Sequence, residues 1–290
     1  MAAGVFYWKI AASAPREKPV AIKLILTDID GTVLPYGKKT VTRRCVDAFH
    51  AAMDSGILVG VASGRFYPWI PEFFGGDASC CATAIATNGS QVYLEGKKTL
   101  QKEVDSSCVR RAMEVLSDVG SAGLLLFEGE TPCLVQGSRD DLLVCFPRYG
   151  ETCVDRDDVP SAGITKANVF IRGDLERTRE VVALLNREVD GLDFDVPQAQ
   201  FSNVMPAGWN KGAALAWLLK RLGIGRDEAV VFGDAGNDLE MFSTVDHSVA
   251  VAGALPEARV AARWHIGAVE DDAVPAAIEA LAAGDWPFAR

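Results

Sequence analysis

Leu24-Ile25-Leu26-Thr27-Asp28-Ile29-Asp30-Gly31-Thr32 is the stretch from which the rest of the chain is read. Residues 21–27 form a β-branched and leucine-rich run that stops at a polar cluster, the pattern of a buried strand entering a loop. If strand geometry persists, Asp28 and Asp30 project the same way, roughly 6.5 Å apart at about 3.3 Å rise per residue, and Ile29 faces the core. The ordinary alternative is a strand followed by an Asp-Gly turn with both aspartates solvated. A calcium loop does not fit, because Val33 stands where an EF-hand needs glycine.

The same strand-to-loop pattern recurs downstream. Residues 57–62 end at Ser63-Gly64-Arg65, and residues 83–87 end at Asn88-Gly89. Between the first two runs, residues 42–56 read as a helix: Thr42 is placed to cap it, Val46, Phe49 and Met53 share a face, and Gly56 stops it. Apolar strands with a helical crossover predict an α/β fold with a doubly wound, Rossmann-like parallel sheet. Ligands of such sheets sit at the carboxyl ends of the strands, which puts Asp28, Ser63 and Asn88 at one rim.

The texture changes between 90 and 203. Short runs at 91–94 and 134–136, helical stretches at 104–119 and 174–189 and a strand at 168–172 predict an inserted α+β cap domain. The βαβ rhythm then returns with a helix at 210–222, a strand at 229–233, a helix at 238–244, a strand at 248–252 and a helical tail at 271–283. The expected organisation is a core from 20–89 and 204–290, a cap from 90–203, and a peripheral segment at 1–19.

Composition narrows the function classes. With 290 residues and 49% apolar side chains, the chain can bury a sizeable core. A net charge of −10 and the lack of an Arg/Lys stripe disfavour a nucleic-acid surface, and a small anionic ligand would need a local cation and a metal against the overall field. Apolar runs such as 82–86 and 123–127 are far short of the roughly 20 residues of a membrane span. Residues 1–14 lack a basic leading region and Lys9 interrupts their apolar stretch, unlike a secretory signal. The seven cysteines, with Cys80 and Cys81 adjacent, have no zinc spacing and read as reduced, buried thiols. The expectation is a cytoplasmic protein with neither membrane nor nucleic acid as partner.

Three further elements accompany the aspartate pair. Ser63-Gly64 offers a hydroxyl and a backbone N–H to phosphate oxygens, although Ser-Gly is also a common turn. Lys211 falls in the first turn of a helix that Asn210 can cap, where a cation opposes the macrodipole by a few tenths of a kcal/mol unless an anion is near. Gly233-Asp234-Ala235-Gly236-Asn237-Asp238 ends an apolar strand. Asp234 there is either a strand terminator or a hard oxygen ligand for magnesium.

This order of motifs resembles the haloacid dehalogenase superfamily of aspartyl phosphatases, and the long insertion after Asn88-Gly89 resembles its Cof-type members with a class IIB cap. The resemblance implies a phosphatase for a small phosphorylated metabolite, a sugar phosphate by default with nucleotide-like, flavin-like and pyridoxal phosphates behind it, and Mg2+ as cofactor. It makes Asp28 the nucleophile and Asp30 the general acid/base, with Ser63, Gly64, Lys211 and Asn237 on the phosphoryl group. It assigns the metal to the Asp28 carboxylate, the Asp30 backbone carbonyl and Asp234. Asp238 would bind or orient the metal's water shell and Lys211, and Asn88 and Arg65 would stand at the rim. Lys166, Asn168, Arg172 and Arg148 are candidates for reading the leaving group. The alternatives are a phosphomannomutase-like phosphomutase and a non-catalytic metabolite-binding member of the fold. The latter would be marked by a missing motif residue, and none is missing.

Overall fold

The computed structural model describes residues 21–288, so the peripheral segment read at 1–19 lies outside the described residues. The chain opens with strand β1 (Leu24–Thr27), helix α1 (Arg43–Asp54) and strand β2 (Leu58–Ala62), followed by a short helix α2 (Ile70–Phe73) and strand β3 (Thr83–Ala86). Thr42 caps α1 by accepting from the Cys45 N–H, and Gly56, at φ +86°, turns the chain toward β2. The buried face of α1 carries Cys45, Val46, Ala48, Phe49 and Ala52. Burying a side chain such as Phe49 contributes about 1.5–3 kcal/mol.

Two antiparallel strands, β4 (Gln91–Leu94) and β5 (Lys97–Gln101), extend the same sheet. The sequence reading placed these residues in the insertion. Their exposed Lys97, Lys98 and Thr99 give them a polar texture, which suits the edge of a sheet and sets them apart from its apolar centre.

A second, mostly antiparallel sheet follows. Its elements are α3 (Ser106–Ser117), β6 (Ala122–Glu128), β7 (Thr131–Gln136), α4 (Arg139–Cys145), α5 (Pro147–Thr152), β8 (Val154–Asp155), β9 (Ala167–Ile171), α6 (Leu175–Glu188), β10 (Leu192–Phe194) and β11 (Phe201–Pro206). The strand order is β10-β11-β9-β6-β7-β8. β11 remains in this sheet to Pro206, three residues beyond the expected boundary. Helices α3 and α6 bury Val109, Leu116, Val181 and Leu185 in one apolar cluster with this sheet. In a second cluster Phe127, Leu134 and Phe170 meet Phe66, which lies in the loop after β2.

The chain then returns to the large sheet with α7 (Lys211–Leu222), β12 (Ala229–Gly233), α8 (Leu239–Thr244), β13 (His247–Ala250), α9 (Pro256–Ala261), β14 (Trp264–His265) and α10 (Ala273–Ala282). The large sheet runs β14-β13-β12-β1-β2-β3-β4-β5, parallel from β14 to β3. Every residue of β1 and β12 is buried, so both faces of the sheet are covered, as the doubly wound reading requires. From β1 the chain moves one way to β2 and β3, and after the second sheet it returns on the other side to β12. The topological switch point is therefore beside the carboxyl end of β1, where Asp28 begins.

Candidate functional site

Four loops at the carboxyl ends of parallel strands converge on a cavity of about 420 Å3. Its lining includes Asp28, Asp30, Ser63, Gly64, Arg65, Asn88, Asp234 and Asn237, residues far apart in sequence, among them the Asp28, Ser63 and Asn88 that the sequence reading placed at one rim. Lys211 and Asp238 lie just behind it. Both are fully buried, and Lys211 Nζ donates to Asp28 Oδ1 at 2.5 Å and to Asp238 Oδ1 at 2.8 Å. Asn210 caps α7 through the Ala213 N–H, so Lys211 sits in its first turn with carboxylates as the compensating anions.

The local backbone explains the motif glycines. Gly31 has φ +81°, and a Cβ there would come within 2.5 Å of Asp234 Oδ2. At Gly89 a Cβ would stand 2.4 Å from the Asn210 carbonyl oxygen, which ties the loop after β3 to the start of α7. Thr87, Asn88 and Gly89 all have positive φ, a costly run that aims Asn88 at the cavity, where its Oδ1 accepts from Asn237 Nδ2 at 3.2 Å.

Electrostatics in the buried cluster are unbalanced. Asp28, Asp234 and Asp238 have carboxylate oxygens within 4.8 Å of one another. Lys211 is the one cation paired with any of them among the described residues, which leaves two uncompensated negative charges. Accordingly, burial holds the Asp28 carboxyl well above its usual range despite Lys211, with the neighbouring aspartates adding to the effect. Burial and Asp238 push Asp234 up to about 6. For the same reason the carboxylates raise the Lys211 ammonium, although its burial acts the other way.

This donor set fits a hard divalent cation, since it is all oxygen and carries the charge that such a cation would neutralise. Asp238 is not itself free for the role: Oδ1 accepts from Lys211, and Oδ2 accepts the backbone N–H groups of Asp234 and Ala235. Its position is that of a brace for Lys211 and for the Asp234 loop. Asp234 is braced too, taking a hydrogen bond from Thr32 Oγ1 at 2.8 Å and one from Tyr36 at 3.4 Å. The sequence reading quoted Thr32 in its motif but gave it no task.

Asp30 is only partly buried and is gripped by Arg65, whose Nε and Nη2 donate to its two oxygens at 2.7 and 2.6 Å. Ser63 is buried at the end of β2. Of the four residues named for reading the leaving group, Lys166 lines the cavity, whereas Asn168, Arg148 and Arg172 do not. Asn168 lies behind Asn203, and Arg172 pairs with Asp141 away from the site. Arg148 stacks over the outer side of Trp69, by a separate depression. The second sheet contributes Phe146, Tyr149, Phe201 and Asn203, none of which the sequence had singled out. Their spacing carries no local signal.

A model of the haloacid dehalogenase-like hydrolase family matches residues 25–278. A 5-amino-6-(5-phospho-D-ribitylamino)uracil phosphatase of Escherichia coli is 25% identical, covering 93% of this chain and 99% of that protein. An HMP-PP phosphatase of Klebsiella pneumoniae is 27% identical over 81% of this chain and 86% of its own. Among solved structures, the subclass IIB sugar phosphatase BT4131 superposes with a TM-score of 0.74 at 18% identity, covering 89% of this chain and 98% of that one. No helix among the described residues is long and apolar enough to cross a membrane, and none of the seven cysteines is in a disulfide.

Proposed function

The chain belongs to the haloacid dehalogenase-like hydrolases, and from that premise we propose that it is a Mg2+-dependent phosphomonoester hydrolase using Asp28 as its nucleophile. The observation that carries the reading is the state of Asp28: almost fully buried, facing the cavity, and fixed through Oδ1 by Lys211 so that Oδ2 is left to attack.

Asp28 Oδ2 forms a bond to phosphorus as the bond to the ester oxygen breaks, giving an aspartyl-phosphate. Asp30 delivers a proton to the departing alkoxide, then accepts one from the water that cleaves the acyl phosphate. Arg65 occupies both Asp30 oxygens with a bidentate pair, so the acid role of Asp30 requires that this pair open when substrate arrives. In this reading Ser63, the Gly64 N–H and Asn237 donate to phosphoryl oxygens, and Lys211 balances the charge that gathers there. Mg2+ would be held by the carboxylates of Asp28 and Asp234 and the backbone carbonyl of Asp30. There it would supply Lewis-acid stabilisation of the phosphoryl oxygens. We take the smaller sheet, roughly residues 102–206, as the cap, because Lys166, Tyr149 and Phe201 close the cavity from that side.

Asp28→Asn tests this. The variant is expected to fold and to lose hydrolysis of p-nitrophenyl phosphate, and the wild type is expected to lose it in EDTA and recover it with Mg2+. Wild-type turnover by the variant would remove Asp28 from the mechanism.

A further inference from the structure

The adjacent Cys80 and Cys81 have no part in the Asp28 site. They belong to a single helical turn, Ala78–Cys81, that precedes β3 and packs against α1. The turn therefore lies at the amino end of the parallel strands, the opposite edge of the sheet from Asp28.

Asp77 opens this turn. Its Oδ1 accepts from the Ser79 N–H at 3.0 Å and from the Ser79 hydroxyl at 2.6 Å, which leaves Oδ2 to meet His50 Nε2 of α1 at 2.7 Å. An exposed His–Asp pair of this kind contributes little by itself. The thiol of Cys80 sets it apart. Cys80 is fully buried, and its Sγ, a ring nitrogen of His50 and a carboxylate oxygen of Asp77 all lie within 4.8 Å of one another. The thiols of Cys81, Cys133 and Cys153 each donate to a backbone carbonyl, whereas that of Cys80 donates to none among the described residues.

An imidazole nitrogen, a carboxylate oxygen and a thiolate sulfur together make a donor set suited to zinc. Bonds of about 2.0–2.3 Å at tetrahedral angles separate such donors by about 3.4–3.6 Å. Oδ2 and Nε2 would part by about 0.7 Å and Sγ would draw in by about 1 Å, shifts that small side-chain rotations supply. The His50 and Asp77 side chains are 48% and 32% exposed, so the ion has a path from solvent and water can complete its coordination. One carboxylate and one thiolate neutralise Zn2+, and magnesium, which prefers oxygen donors, is a poor competitor for the sulfur. Burial, helped by the Asp77 carboxylate, pushes the Cys80 thiol up to about 12. The S–H bond therefore breaks only as the Zn–S bond forms, and the proton passes to solvent.

We propose that His50, Asp77 and Cys80 form a zinc site, separate from the catalytic cavity, that pins α1 to the turn before β3. The ligands come from two elements, one of them a helix, which is why no sequence spacing announces the site. The proposal does not depend on the phosphatase reading.

The test is titration of the reduced, metal-free protein with Zn2+ and with Co2+, carrying Asp234→Asn and in excess Mg2+ so that the Asp28 cluster does not report. One Zn2+ per chain is expected to bind with a dissociation constant of about 10 μM or below. Co2+ in its place is expected to give the near-ultraviolet thiolate-to-metal band and the strong visible bands of a tetrahedral ion. His50 is exposed, so His50→Gln removes a ligand without disturbing the core, and it is expected to weaken Zn2+ binding by about tenfold or more. Cys80→Ala is expected to abolish the thiolate band. The proposal is overturned if no Zn2+ binds in that range, if the cobalt spectrum lacks the thiolate band or keeps it in Cys80→Ala, or if His50→Gln binds Zn2+ as tightly as the parent.

Discussion

Asp234→Asn should make the metal-free protein more stable while abolishing its response to magnesium. In the structure Asp234 is 5% exposed and sits among like charges, which together with burial hold its carboxyl at about 6 against an ordinary 3.8. A carboxylate displaced upward by that amount opposes folding by about 3 kcal/mol once ionised. The folded state binds this proton more tightly than the unfolded chain, so the opposition is absent below about pH 4, grows as pH rises to about 6, and is complete above it. Asparagine removes the charge and still accepts from Thr32 through its amide oxygen. With about 2.1 cal/mol/K of unfolding entropy per residue, a chain of this size changes by about 0.6 kcal/mol per degree near its midpoint. The metal-free variant should therefore melt about 2–5 °C above the metal-free wild type at pH 8, with a smaller difference at pH 5. Mg2+ at about 100 times its dissociation constant should stabilise the wild type by about 2.7 kcal/mol, or roughly 4–5 °C, and the variant hardly at all. Thermal melts with EDTA and with Mg2+ at both pH values measure this without reference to turnover. A variant that melts several degrees below the wild type in EDTA, or that keeps the full magnesium shift, would refute the reasoning.

Lys211→Met should be inactive and, at pH 8, less stable by about 3–5 kcal/mol, because it leaves Asp28 and Asp238 buried without their counter-ion. The Asp28 carboxyl, already raised by burial, then rises further, so the folded form takes up a proton and the deficit should shrink as pH is lowered toward 5; a deficit that grows on acidification contradicts this. Asp30→Asn should slow alkyl ester hydrolysis about 10²–10⁴-fold, yet still release a burst of nitrophenolate from p-nitrophenyl phosphate, since that leaving group needs little protonation. Rapid-mixing absorbance would show the burst, and its absence would argue against Asp30 serving both half-reactions.

The parts of this molecule that sequence made legible are those whose signal is local. β1, β2, β3 and β12 are unbroken apolar runs that end at the motif residues, and Thr42 and Asn210 announce their helices by capping. Edge strands β4 and β5 were legible as strands in part but not as members of the core sheet. An exposed edge strand has the same texture as a strand of the insertion, and only hydrogen bonding assigns it. The short helices α4 and α5 gave no period long enough to read. Lys166, Tyr149 and Asn203 belong to the cavity through packing between two sheets, with Asn203 about 175 positions from Asp28, and no spacing rule reaches that far. The Arg65–Asp30 pair and the Asp195–Asn203–Asn168 relay are likewise products of tertiary contact.

The central claim is that Asp28 carries the phosphoryl group. Quenching the enzyme with borohydride during steady turnover, followed by peptide mass spectrometry, tests it most directly, because an acyl phosphate is reduced where a free carboxylate is not. Homoserine in place of aspartate at position 28, dependent on substrate and Mg2+ and absent from Asp28→Asn, is the predicted result. An unmodified Asp28 during turnover, or reduction at another carboxylate, would contradict the account.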